Sequence, residues 1–227
     1  MPYIQTVTGQ VPPDTLDFCH CHEHLMIRKG QSFLVNEALC IDSYAKTRAE
    51  LELFRKTGGS TVVDAQPTGC GRDAEALRLL GQETGIQIIA STGFHKMVFY
   101  PQNHWIFDMD KEALAALFVH ELTEGMYADG DYRLPVRSVD ARAGILKCAY
   151  DACGLTAQYK KLFDAAICAS VHTGAPLMVH IEQGAPALNL ISYLDKKKMP
   201  LDRVIFCHMD RAVQDLAVHK EVCRQGI

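Results

Sequence analysis

Six short runs rich in β-branched and other apolar residues punctuate the chain, at 16–24, 61–66, 87–92, 143–147, 176–181 and 203–208. Between them, apolar positions recur at helical spacing over 43–57, 72–84, 111–127, 157–173, 187–197 and 211–224. Gly58, Gly85 and Gly174 stand where three of these helical segments end, and glycine takes the left-handed conformation that closes a helix. Strand followed by helix, six times over, predicts an α/β fold with a parallel sheet. The widest gap between strands, 94–142, holds Tyr100, Pro101, His104 and Trp105, and such a connection after a strand end is where a substrate-facing lobe belongs. No Pro/Ser-rich linker interrupts the pattern, so one domain over 1–227 is expected.

Two layouts fit this repetition: a closed (β/α)8 TIM-type barrel, or an open doubly wound sheet. The first strand-to-helix turn lacks both G-x-G-x-x-G and G-x-x-x-x-G-K-[ST], which removes the usual support for nucleotide-binding sheets. The predicted strand ends carry histidine instead. Metal-binding residue types at the C-terminal ends of several strands are the pattern of a barrel active site. Six βα units use up all 227 residues, so eight at this spacing need about seventy more. The expectation is a C-terminally shortened barrel supplying about six units, or one whose missing strands come from another chain. An open remnant leaves parallel edge strands that proteins normally cover.

Composition narrows the partners. A net charge of −4 with scattered Lys and Arg gives no footprint for nucleic acid, and the short Lys196–Lys198 cluster reads as a solvated helix end. No apolar run of about eighteen residues and no export signal are present, so no membrane association and a cytoplasmic location are expected. Nine cysteines, an odd number in a chain without export signal, read as reduced thiols.

The densest chemical signal is Cys19-His20-Cys21-His22-Glu23-His24. On a regular strand His20, His22 and His24 share one face, and His22 and His24 can bind the same ion. A structural zinc knuckle would need ligands from both faces and usually C-x-x-C, which is missing. Lys147 closes the apolar run Ala143-Gly144-Ile145-Leu146, where burial lowers an amine's pKa and makes it nucleophilic enough to capture carbon dioxide as a carbamate. His180 and His208 each end an apolar run, and neutral imidazole is the commonest metal ligand. The order HxH, Lys, His, His at four strand ends points to a metal centre at a barrel mouth.

With these motifs the chain resembles the phosphotriesterase family of the amidohydrolase superfamily. Cys21-His22-Glu23-His24 matches the family's opening T-H-E-H, Gly71-Arg72-Asp73 its G-R-D, Thr92-Gly93 its T-G, and Lys147, His180 and His208 its later ligands. The resemblance implies a binuclear zinc-type site, with manganese, cobalt or iron suited equally by these donors. His22 and His24 would hold the more buried ion and His180 and His208 the more exposed one, with carboxylated Lys147 and a hydroxide bridging both. Lys147, His208 and the following acid Asp210 are the catalytic candidates. A small-molecule substrate and a family-like homodimer are implied. The family's aspartate at the end of the eighth strand has no counterpart before Ile227, Arg211 stands where many relatives have a second acid, and His95 stands where lactonase-like relatives have Tyr and organophosphate hydrolases Trp.

His95, Lys96, His104 and Arg211 are candidate donors to an anionic substrate. His20, one layer below the ligands, and Asp64 on the second strand are candidate supports. The leading expectation is a metal-dependent hydrolase of a lactone or related ester, phosphorylated or otherwise anionic. The alternatives are a phosphotriester or phosphoester hydrolase, a non-catalytic metal-containing binding protein that lacks the last aspartate, and a thiol or zinc-storage module on Cys19 and Cys21.

Overall fold

The computed structural model describes residues 2–227. Six strands, β3 (Phe18–Glu23), β4 (Gly59–Asp64), β5 (Gln87–Gly93), β6 (Ile145–Tyr150), β7 (Leu177–Ile181) and β8 (Val204–Cys207), form one sheet in the order β3-β4-β5-β6-β7-β8. Every neighbouring pair is parallel. All six predicted runs are therefore strands, and β6 extends three residues beyond Lys147. A hairpin missed by the pattern, β1 (Ile4–Thr6) with β2 (Gly9–Val11), precedes them.

The sheet curls into a half-barrel. The rings of His22 and His208, at the tops of its first and last strands, lie 5.4 Å apart although β3 and β8 are not paired. Side-chain alternation then sorts the strands into two apolar layers. Val62, Leu146, Cys148, Leu177 and Val179 pack outward against the helices. Val63, Ala65, Ile89, Ile145, Met178 and Cys207 fill the inside of the curl, with Ile4 of the hairpin packed against them.

Helices Tyr44–Lys56, Ala74–Thr84, Lys111–Thr123, Ala157–Thr173, Ala187–Lys196 and Leu216–Arg224 occupy the predicted segments. Gly85 and Gly174 are left-handed caps as expected, whereas Thr57 caps the first of these helices and Gly58 follows it. Asp73 caps Ala74–Thr84 by accepting the Ala76 N–H at 3.0 Å. No helix among the described residues is long and apolar enough to cross a membrane.

Gly93 sets the spacing between two of the strands that build the site. Its φ is +109°, and a Cβ there would lie 2.1 Å from the Lys147 carbonyl oxygen. Gly93→Ala therefore pushes β6 away at Lys147. The expected loss is at least about 1–3 kcal/mol from backbone strain alone, read as a lower urea midpoint at unchanged m-value.

Candidate metal centre

Five imidazoles and one amine converge inside the mouth of the half-barrel. Lys147, fully buried, projects from β6 above the apolar inner layer, with its Nζ 3.4 Å from His22 Nε2. Ring centroids are separated by 5.6 Å for His22 and His24, 4.5 Å for His180 and His208, 6.1 Å for His24 and His95, and 5.7 Å for His95 and His180. The five histidines line a cavity of about 320 Å³ with Gln66, Lys96, Phe99, Glu182 and Arg211. A larger hollow of about 720 Å³ opens elsewhere, between Tyr3, Ile89, Ile145 and Pro176, and contains a single histidine, His172.

Backbone irregularities aim these side chains. Between His20 and Glu23 the pairing of β3 with β4 slips, so that His20 opposes Val62 and Glu23 opposes Asp64. The extra residue is a bulge, and it breaks the alternation. His22 and His24 reach the cavity, while His20 turns outward, half exposed, toward Glu23 and Phe54. The supporting role expected for His20 is thus not met: the bulge moves it to the opposite side. His208 sits at φ +44°, ψ +40°, a left-handed conformation costly for any residue with a Cβ.

Asp64 is fully buried and accepts the backbone N–H groups of Leu25 at 2.8 Å and Gln66 at 3.0 Å. It braces the turn after His24 rather than orienting a ring, which corrects the expectation for it. Burial raises its pKa to about 6 against the pull of those two hydrogen bonds.

The other sequence candidates divide. His95 is in the cluster, and its Nδ1 accepts the Lys96 N–H at 2.7 Å. In the neutral ring the proton therefore sits on Nε2, leaving a donor. Lys96 and Arg211 line the cavity. Asp210 is exposed and lies outside the cavity lining. His104 is not in the site: its Nε2 meets the Gly130 carbonyl at 3.0 Å and its Nδ1 accepts the Ile106 N–H, so it pins the long connection.

Sequence reasoning missed Glu182, whose Oε2 lies 2.6 Å from Lys96 Nζ and 3.2 Å from His180 Nε2. Its position two residues after His180, on the same side of an extended segment, was the available signal. It also missed the buried pair of Arg72 and Glu121 behind β5.

The electrostatics favour neutral ligands. Burial, with the Lys147 charge next, lowers the pKa of His22 to about 3 and of His24 to about 4. His180 falls to about 4 through burial and then the neighbouring His208, and burial also lowers His95, His208 and Lys147. Because these histidines titrate lower in the folded than in the unfolded chain, the unfolded chain takes up protons first as pH falls. Their stabilising contribution is complete above about pH 6.5 and disappears toward pH 4. Chelator-treated protein should therefore melt at a lower temperature at pH 4.5 than at pH 7.5, with a smaller drop in a His22→Asn, His24→Asn double variant.

Buried His24 Nδ1 and His208 Nδ1 have no hydrogen-bond partner, as expected of rings that await another acceptor of their lone pairs. No three His, Cys, Asp or Glu side chains among the described residues are grouped to hold an ion by themselves. All nine cysteines are free.

The chain is also similar to known proteins. The chain is 28% identical over 196 residues to a phospho-furanose lactonase of Mycoplasmopsis agalactiae, covering 85% of this chain and 55% of that protein. It is 27% identical over 254 residues to an N-acetyltaurine hydrolase of Danio rerio, covering 98% of this chain and 69% of the relative. A lactonase structure from Listeria monocytogenes superposes with a TM-score of 0.87 at 27% identity, over 99% of this chain and 70% of the other. The chain thus spans little more than half of the length of the first of these relatives. The phosphotriesterase family profile matches residues 2–226, and the chain belongs to that family.

Proposed function

We propose that this chain carries the binuclear metal site of a hydrolase that cleaves a lactone or related ester, with an anionic group on the substrate. The observation that carries this reading is the convergence of His22, His24, His180 and His208 around buried Lys147. The donors fit: the imidazoles are held neutral, and two buried ring nitrogens lack partners. His22 and His24 would hold one divalent ion and His180 and His208 the other. Lys147 would supply these ions with a carboxylate if its neutral amine added carbon dioxide and released one proton. When bound, two such ions lower the pKa of a water to near neutrality and polarise the substrate carbonyl.

The chain's own residues supply the rest. Ile145 and Met178 belong to the buried apolar layer inside the curl, and Lys147 lies two residues beyond Ile145 on β6. His95, donating from Nε2, is placed to hold a substrate oxygen between His24 and His180. Arg211 gives the cavity wall positive charge suited to a phosphate or carboxylate, while the charge of Lys96 is paired with Glu182.

Elemental analysis of protein produced with zinc and bicarbonate should find about two ions per chain, as a two-metal mechanism needs. Fewer than one overturns the reading. A panel of lactones, sugar-phosphate lactones, phosphotriesters and N-acyl amides should show lactone turnover, with phosphotriesters slower or inert.

One observation favours a non-catalytic ion-binding role: Asp210 is exposed and the Glu182 carboxylate is already engaged, so neither stands free to shuttle a proton. Lactone turnover abolished by His22→Asn disposes of that alternative.

A further inference from the structure

We infer that Glu182 is a positioning residue that fixes the proton of His180 on Nε2 and so presents Nδ1 as that ring's single metal-binding atom. The inference rests on the proposed metal site for its functional consequence, although the contact itself belongs to the ion-free protein.

Glu182 follows β7 directly, and its own N–H donates to the Tyr150 carbonyl at 3.0 Å, which ties it to the end of β6. Its Oε1 accepts the Gln183 N–H at 2.9 Å, and its Oε2 receives both Lys96 Nζ and His180 Nε2. Lys96 reaches it from the connection after β5, so three strand ends meet at one carboxylate. Lys96 Nζ, 2.6 Å from Oε2, pairs with Glu182 as an ammonium with a carboxylate, and the Gln183 N–H fills the other oxygen. An ionised carboxylate only accepts hydrogen bonds. The 3.2 Å contact therefore requires a proton on His180 Nε2, and the lone pair of the neutral ring is left on Nδ1.

The same contact stops the ring from flipping, because a flip would exchange its donor for a carbon. Lys96 completes the device. It neutralises the carboxylate through the same Oε2 that His180 meets, and limits the extra negative charge that the cavity presents to an anionic ligand.

Two measurements test this. In ion-free wild-type protein, 15N chemical shifts of the His180 ring should report the Nε2–H tautomer, and an Nδ1–H ring overturns the inference without any variant. In Glu182→Gln the ring should populate both tautomers. Zinc titrated against a competing chelator should show one site unchanged and the other weakened by roughly 10–100-fold, the usual effect of losing a ligand's orienting partner. Lys96→Met, which leaves the carboxylate in place, should keep the Nε2–H tautomer. Unaltered affinity at both zinc sites in Glu182→Gln, or an unchanged His180 tautomer there, overturns the inference. If wild-type protein binds no zinc, the metal reading fails separately, and the ring shifts still decide the role of Glu182.

Discussion

Glu121→Ala is expected to destabilise the protein by about 3–5 kcal/mol, the cost of stranding one partner of a buried ion pair. Glu121 is fully buried on helix Lys111–Thr123, and Arg72 is 2% exposed. One carboxylate oxygen accepts Arg72 Nη2 and the Tyr127 N–H, and the other accepts Arg72 Nη1 and the hydroxyls of Thr68 and Thr92. Burial pushes the Glu121 pKa up, yet the guanidinium and these hydrogen bonds outweigh it and hold the group ionised. Removing the carboxylate leaves a guanidinium that still donates to the Ser91 and Tyr127 carbonyls but has no counter-charge. Since a domain's whole stability is about 5–15 kcal/mol, much of it would be lost. Thr92 precedes Gly93, so the same change loosens the strand end that carries His95 and Lys96. Urea unfolding checks the magnitude. A Glu121→Leu, Arg72→Leu double variant should be less destabilised than the sum of its single changes, because no buried charge remains unpaired.

Lys147→Met should separate stability from function. A fully buried amine is costly to desolvate, and methionine of similar length fills the same space. The ion-free variant is expected to be more stable than ion-free wild type by about 1–3 kcal/mol, as when apolar groups replace buried charged ones. Its bound zinc should fall below one ion per chain. Lactone turnover should drop at least about a thousandfold, equivalent to ~4 kcal/mol of barrier. A variant that keeps both ions and its turnover removes Lys147 from the mechanism. A variant that is less stable without ions shows that the amine is satisfied in a way the fold does not reveal.

The strand and helix order was legible because each strand is a short apolar run and each helix has its own period and ending. His180 and His208 could be placed for the same reason: a histidine that ends an apolar strand of a parallel sheet sits at its C-terminal rim. What failed depended on geometry that periodicity does not carry. The bulge in β3 reverses His20, and no residue between His20 and Glu23 announces it. His104 resembles a pocket residue in sequence, but contacts with Gly130 and Ile106 make it a structural pin. The Arg72–Glu121 pair joins residues 49 apart through the long connection, a meeting that only the fold arranges. Glu182 was readable in principle from its spacing to His180, whereas its bond to Lys96 spans 86 positions and two strands.

The most direct test of the central claim is diffraction from crystals grown with zinc and bicarbonate, with data collected on either side of the zinc absorption edge. Two anomalous peaks should flank Lys147, one beside His22 and His24 and the other beside His180 and His208, with density continuing from Nζ into a carboxylate. A bare amine with no anomalous peak within reach of these four histidines would contradict it.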